Sequence, residues 1–386
     1  MDTQQNNILP GQWVVIVKPY LTAELMQSEH LLKLDNMTVD PSTPFNVQVG
    51  QKFDFPELKG YSAKFGAATK AELEKMPEVL DIEPEQLYRH CQLQPNAPWG
   101  LGRISARAKL GSPPYSYKYR DDAAGAGTVA YVIDTGINDQ HVEFESRATK
   151  GPKFVSDGPA RDEDVHGHGT HVAGTIASRA YGVAKQANVV ALKVFSDRTG
   201  FAQTGDIIKA LDWVVSDVYS RGIKGRAVVN MSLGGGPSRA LDGAVASTAR
   251  HGVVVCVAAG NSPDVAAEDQ SPAREPLAIT VGAADINDAF ASFSSFGKAT
   301  PHVAGVACCL LSDATWSGRD TSEVMSKILL LADKGDISGI GPGTAKDRTI
   351  NALVHNTTEW LLYLEGFYAS QGHLGNNGGV IRTIIL

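Results

Sequence analysis

The chain has 386 residues, 43% hydrophobic and 20% charged, with a net charge of −7. That length suits one large domain plus a small one, and the apolar share excludes disorder as the default state. The acidic balance argues against nucleic acid as a main partner, and the lack of any run of about eighteen apolar residues argues against a transmembrane helix.

The first residues, Met-Asp-Thr-Gln-Gln-Asn-Asn-Ile-Leu, carry no basic stretch and no apolar stretch, so they do not read as a signal peptide. Residues 11–19 and 60–65 read as strands. Thr69 followed by Glu72 is a capping-box pattern and predicts a short helix starting there. Residues 79–84 read as a third strand, and 85–97 as a polar linker.

From residue 129 onward, strands and helices alternate. Strands are predicted at 129–133, 189–194, 227–233, 253–258 and 278–282. Helices are predicted at 168–178, 206–219, 239–250, 301–311 and 321–331. In the second helix Ile207, Ile208, Leu211, Val214, Val215 and Val218 keep a helical spacing. Uniformly apolar strands with helices between them imply a parallel sheet covered on both faces, hence an α/β fold of three layers. In such folds chemistry sits at the carboxyl ends of strands, where Asp134 and the loop after Ala258 fall.

The four cysteines indicate no disulfide framework. Cys308 and Cys309 are neighbours on a predicted helix and cannot easily bridge each other. Cys256 lies in an apolar run and reads as a small buried hydrophobe, and Cys91 sits in a polar stretch.

Three motifs carry the chemistry. Residues 131–137 are Tyr-Val-Ile-Asp-Thr-Gly-Ile. Residues 164–174 are Asp-Val-His-Gly-His-Gly-Thr-His-Val-Ala-Gly. Residues 299–305 are Ala-Thr-Pro-His-Val-Ala-Gly. Asp134 alone reads as a turn or cap residue. Asp164, His166, His168 and His171 are spaced closely enough to raise a metal site, although the flanking glycines and Thr170 suit a tight helix entry better.

Taken together, the motifs resemble the subtilisin family, most closely its fungal proteinase K-like branch. The resemblance implies a subtilisin-like α/β fold and a serine endopeptidase. Asp134 would hold the imidazole, His168 would be the general base, and Asn261 would be an oxyanion-hole donor. His171 would be structural, behind the active helix. An extended polypeptide would insert between Ser232-Leu233-Gly234 and Gly200-Phe201-Ala202 by strand addition.

The third motif departs from the family pattern. There, Gly-Thr-Ser-Met precedes Ala-Thr-Pro-His, and the Ser is the nucleophile. Here Ser295-Phe296-Gly297-Lys298 precedes Ala299, so Gly297 stands at the nucleophile position. A strand, a loop and the Gly-Thr-Ser turn, roughly thirty residues in relatives, have no counterpart. Pro276 and Ala278 match carbonyl ligands of a family calcium site, but its aspartate belongs to the missing stretch, so no cofactor is expected.

The resemblance extends to the start of the chain. Residues 10–90 resemble a propeptide inhibitor domain, 91–97 a linker or processing region, and 98–355 the peptidase domain with its deletion near 297–299. Residues 356–386 match nothing in the family. Without a nucleophile the precursor would not cut itself, and its own propeptide would occupy the groove. The expected chain is a monomer, extracellular by family. Three readings stay open: a record missing a segment, a pseudoprotease, or a chain too damaged to fold.

Overall fold

The computed structural model describes residues 8–36, 38–40, 43–44, 47–86, 91–261, 265–291, 300–313, 316–319, 321–334, 338, 349–353 and 383–385. They form two compact units, one ending at residue 89 and one beginning at residue 90.

The first unit is a four-stranded antiparallel sheet in the order Gln48–Asp54, Lys59–Lys64, Ile8–Val17, Val79–Gln86. Val15 stands opposite both Tyr61 and Ile82, so three strands place one residue each in a single core layer. Leu31, Leu34 and Leu73 from the helical segments close that core. Fully burying such a side chain stabilises by about 1.5–3 kcal/mol.

The helix predicted to start at Thr69 runs from Ala67 to Leu73 instead. Its N-cap is Gly66, whose carbonyl accepts the Lys70 N–H, and Thr69 lies inside the helix, 5% exposed. Burial of Thr69 within the helix took precedence over its capping chemistry. His30, which the sequence did not single out, is wholly buried; its Nδ1 lies 3.1 Å from Glu78 Oε1 and its Nε2 2.9 Å from Tyr61 Oη. Burial holds the imidazole below its ordinary pKa, against the opposing hydrogen bond to Glu78.

The second unit is built on a parallel sheet. In chain order its strands are β1 (Val129–Asp134), β2 (Ala148–Lys153), β3 (Asn188–Lys193), β4 (Ala227–Met231), β5 (Val253–Ala258) and β6 (Ile279–Gly282). They lie side by side as β2-β3-β1-β4-β5-β6. Three short strands, β7 (Asp333–Lys334), β8 (Thr349–Leu353) and β9 (Thr383–Ile385), extend the sheet past β6 in the order β9-β8-β7. β9 belongs to the segment expected as an unmatched tail, most of which lies outside the described residues.

The helices are α1 (His168–Ala177), α2 (Thr204–Ser220), α3 (Arg239–Arg250), α4 (Thr300–Ser312) and α5 (Thr321–Leu331). Alternate residues of a strand point to opposite faces. Thus Val132, Val228 and Val254 pack with α1, α4 and α5, while Ile133, Val229 and Val255 pack with α2 and α3. Every residue of β1 and β5 is buried, which accounts for the unbroken apolar runs Val129–Ile133 and Val253–Ala258.

Two local features differ from expectation. Residues 91–97, read as linker, form a strand, Cys91–Ala97, paired antiparallel with Tyr115–Arg120. The edge strand β2 was not anticipated, because Ala-Thr-Lys-Gly-Pro-Lys has no apolar alternation. All four cysteines are free thiols; burial pushes Cys256 up and Cys308 up to about 12.

Candidate active site

The site is assembled at the carboxyl ends of the central strands. Asp134 ends β1 and is fully buried. Its Oδ1 accepts the Thr135 N–H at 2.7 Å and lies 2.7 Å from His168 Nδ1. An ionised carboxylate only accepts, so Nδ1 carries the proton and the lone pair is left on Nε2. The His168 side chain is 43% exposed, so that lone pair belongs to a ring open to solvent.

Two glycines make the pair possible. His168 is the first residue of α1, and the preceding Gly167 caps it at φ +85°, in the left-handed region. Gly169 lies against the end of β1: a Cβ there would be 2.1 Å from the Gly136 carbonyl oxygen and 3.2 Å from Asp134 Cβ. A side chain at 169 would therefore push α1 off the strand that carries its partner.

Asp164 fixes the entry to the same helix. It accepts Thr135 Oγ1 at 2.8 Å, the Gly167 N–H at 2.8 Å, and Thr170 through both N–H and Oγ1, at 2.9 and 2.6 Å. Burial pushes its carboxyl up, but the bonds from Thr170, Gly167 and Thr135 outweigh burial and hold it below the usual carboxylate range. Both oxygens thus serve the loop. Among the described residues no group of three or more His, Cys, Asp or Glu is placed to hold a metal. Lys193, opposite Asp134 on β3 and 3% exposed, donates to Thr135 O at 2.8 Å and Glu163 O at 3.0 Å and pairs with Asp197. Sequence reasoning assigned no part to Asp164 as a pin or to Lys193, since neither contribution is visible without the neighbouring strand.

His168 opens onto a cavity of about 480 Å³ lined also by Ser232, Leu233, Gly234, Gly260 and Asn261. The structure therefore brings together His168, the exposed Asn261 after β5 and the segment after β4. Gly260 has φ +111°, and a Cβ there would be 2.6 Å from the Gln270 side-chain amide. Gln270 also lines the cavity, a contribution sequence reasoning missed.

Other predicted residues fall elsewhere. Gly200, Phe201 and Ala202 form a turn closed by Ser196 N–H to Phe201 O at 3.0 Å; Phe201 is 77% exposed, and none of the three lines the cavity. His171, expected behind the helix, is exposed and lines the cavity, because it lies one turn on from His168 along the same face of α1. Beside Pro276 and Ala278, Glu275 accepts the Leu277 N–H at 3.1 Å and burial pushes its carboxyl up. Gly297, at the expected nucleophile position, lies outside the described residues.

The arrangement presents a carboxylate-held imidazole, and a side-chain amide lining the same cavity. Such a pair can take a proton from a hydroxyl and stabilise the resulting imidazolium. Two hydroxyl residues line the same cavity: Ser232 accepts from Asn230 Nδ2 at 2.9 Å, and Thr175 donates to the His171 carbonyl at 3.1 Å.

Residues 125–299 match the subtilase family. The chain is similar to alkaline protease 1 of Aspergillus clavatus, 38% identical over 374 residues, covering 87% of this chain and 90% of that one. It is similar to the cuticle-degrading protease of Metarhizium anisopliae, 39% identical over 339 residues, covering 79% and 83%. Among solved structures it is similar to a cold adapted subtilisin-like serine proteinase, with a TM-score of 0.59 and 36% identity over 68% of this chain and all of the other.

Proposed function

The chain belongs to the subtilase family, by descent a serine endopeptidase acting on polypeptide, and from that premise we propose that it is a peptidase precursor lacking its nucleophile. Asp134 orients the imidazole, His168 is the general base, and Asn261 points its amide at the oxyanion position. With Gly297 in place of the serine, no acyl bond can form, and hydrolysis by the triad mechanism stops before its first step. What remains is ground-state binding of an extended peptide along Ser232–Gly234, with Gly200–Ala202 as the opposite edge.

The observation that carries this reading is the 2.7 Å Asp134–His168 contact at a cavity shared with Asn261, in a sequence with no serine before Ala299 at the motif position. A fluorophosphonate probe tests it. Purified chain should stay unlabelled, whereas stoichiometric labelling of any residue would show that another hydroxyl has taken the role.

A second reading is favoured by one observation. The alignment with the Aspergillus protease runs over 374 residues yet takes in only 87% of this 386-residue chain, so that relative carries residues with no counterpart here. In this reading the chain is an incomplete copy of an active, extracellular, monomeric protease. Sequencing the transcript across codons 297–299 decides: an uninterrupted junction supports the pseudoprotease, and roughly thirty additional codons support the active enzyme.

A further inference from the structure

Helix Trp99–Ser105 and α1 bound a second cavity, of about 440 Å³, for which the proposed reaction has no use. Its volume lies in the range of small-molecule sites. Its floor is apolar: Leu101 and Phe144 are each 1% exposed. Trp99 and Tyr181, 39% and 60% exposed, add two aromatic rings to the lining.

The polar groups in the lining define what could bind. Glu143 is already committed: Ala180 N–H at 2.7 Å, with Arg179 beside it, holds its carboxyl below the usual range. His141 Nδ1 accepts the Glu143 N–H, which leaves its proton on Nε2 as an available donor. Burial, with His171 nearby, brings His302 down to about 4, so its ring is neutral at ordinary pH. Among the described residues its Nδ1 is buried without a hydrogen-bond partner. No lysine or arginine lines the cavity. The site thus offers aromatic walls and the imidazoles of His141, His171 and His302, the last with its Nε2 beside Gly100 of the lining. It has no cation to attract an anion, and its only carboxylate is already paired.

We propose that this cavity binds a small neutral aromatic molecule bearing a hydroxyl group, its ring over Leu101 and Phe144 and its hydroxyl at the His141 and His302 imidazoles. A phenolic hydroxyl both donates and accepts, which suits this pair; a carboxylate would face Glu143, and a plain hydrocarbon would leave both imidazoles without a partner.

Titration of the full-length protein with p-cresol, toluene and p-toluate tests this. Saturable one-site binding of p-cresol is expected, with Kd below about 1 mM. Toluene should bind about tenfold more weakly, and p-toluate not at all. Gly174→Leu should lower p-cresol affinity at least about tenfold by filling the cavity, since a Cβ there meets nothing closer than 4.0 Å. Tyr181→Ala, at an exposed residue, should weaken binding several-fold with the fold intact. Absence of saturable p-cresol binding, equal affinity for toluene, or affinity unchanged in both variants would overturn the proposal. So would loss of binding in Gly234→Val but not in Gly174→Leu, which would place the ligand beside His168.

Discussion

Gly169 packs so tightly on Gly136 that a Cβ at position 169 would lie 2.1 Å from the Gly136 carbonyl oxygen. The contact is between backbones, so no side-chain rotation can relieve it. Gly169→Ala should therefore shift the start of α1 and part His168 from Asp134. The expected cost is about 1–3 kcal/mol of stability, as for other overpacked sites. Denaturant unfolding measures the loss, and the downfield Nδ1 proton resonance of His168 reports the pair. A variant with wild-type stability and an unchanged resonance would show that the helix start is more yielding than this geometry implies.

Asp164 should matter most in acid. Its folded-state pKa is depressed, so its stabilising contribution is present above the unfolded carboxylate value, about 3.9, and is lost as pH falls through the folded value. Asp164→Asn should lower stability at pH 7 and flatten the decline below pH 4. Equal pH slopes in variant and wild type would exclude this part for Asp164.

His30 gives the first unit the same sign through a different group. Its folded pKa lies below the unfolded value of about 6.5, so stability is full above that value and declines as pH falls below it, when the buried ring must charge. Lys33, 3.6 Å from Glu78, works against that charging, and Glu78 favours it. Burial pushes Glu78 up, but its bond to His30, a backbone hydrogen bond and the Lys33 charge together hold it below its ordinary value. Between about pH 4.5 and 6.5, hydrogen exchange of the Ile8–Val17 amides should quicken in the wild type. In His30→Gln exchange should start faster and change less over that window. An invariant wild-type rate would count against the buried imidazole as its source.

Intact mass tests the proposed loss of the nucleophile. Protein made in a protease-deficient host should remain one 41.0 kDa species. Cleavage between Tyr88 and Asn96 at a rate independent of dilution would mean that the chain cuts itself.

The elements read most accurately from sequence are those whose burial is complete. β5 and α3 have the predicted bounds because Val253–Ala258 is apolar throughout and the buried face of Arg239–Arg250 repeats at helical spacing. β2 escaped notice because an edge strand buries little and needs no apolar alternation. At the candidate site, Asp134 and His168 lie in two of the three motifs, whereas Asn261 and Ser232–Gly234 were picked out by family resemblance alone. Gln270 was not, since its place depends on the missing Cβ of Gly260, a relationship between loops rather than within one. Thr69 was misread because a local capping pattern says nothing about the packing that buries it.

The rims of the main sheet also bear on how separate copies of the chain meet. At one rim β2 offers a newcomer Lys150, Gly151, Pro152 and Lys153: a proline has no N–H to donate, and the two lysines are already paired with Asp139 and Asp162. At the other rim β7 is only two residues long, Asp333 and Lys334. Neither offers a template on which another strand could grow. In a crowded solution the described rims of this sheet thus give a second molecule little backbone to pair with.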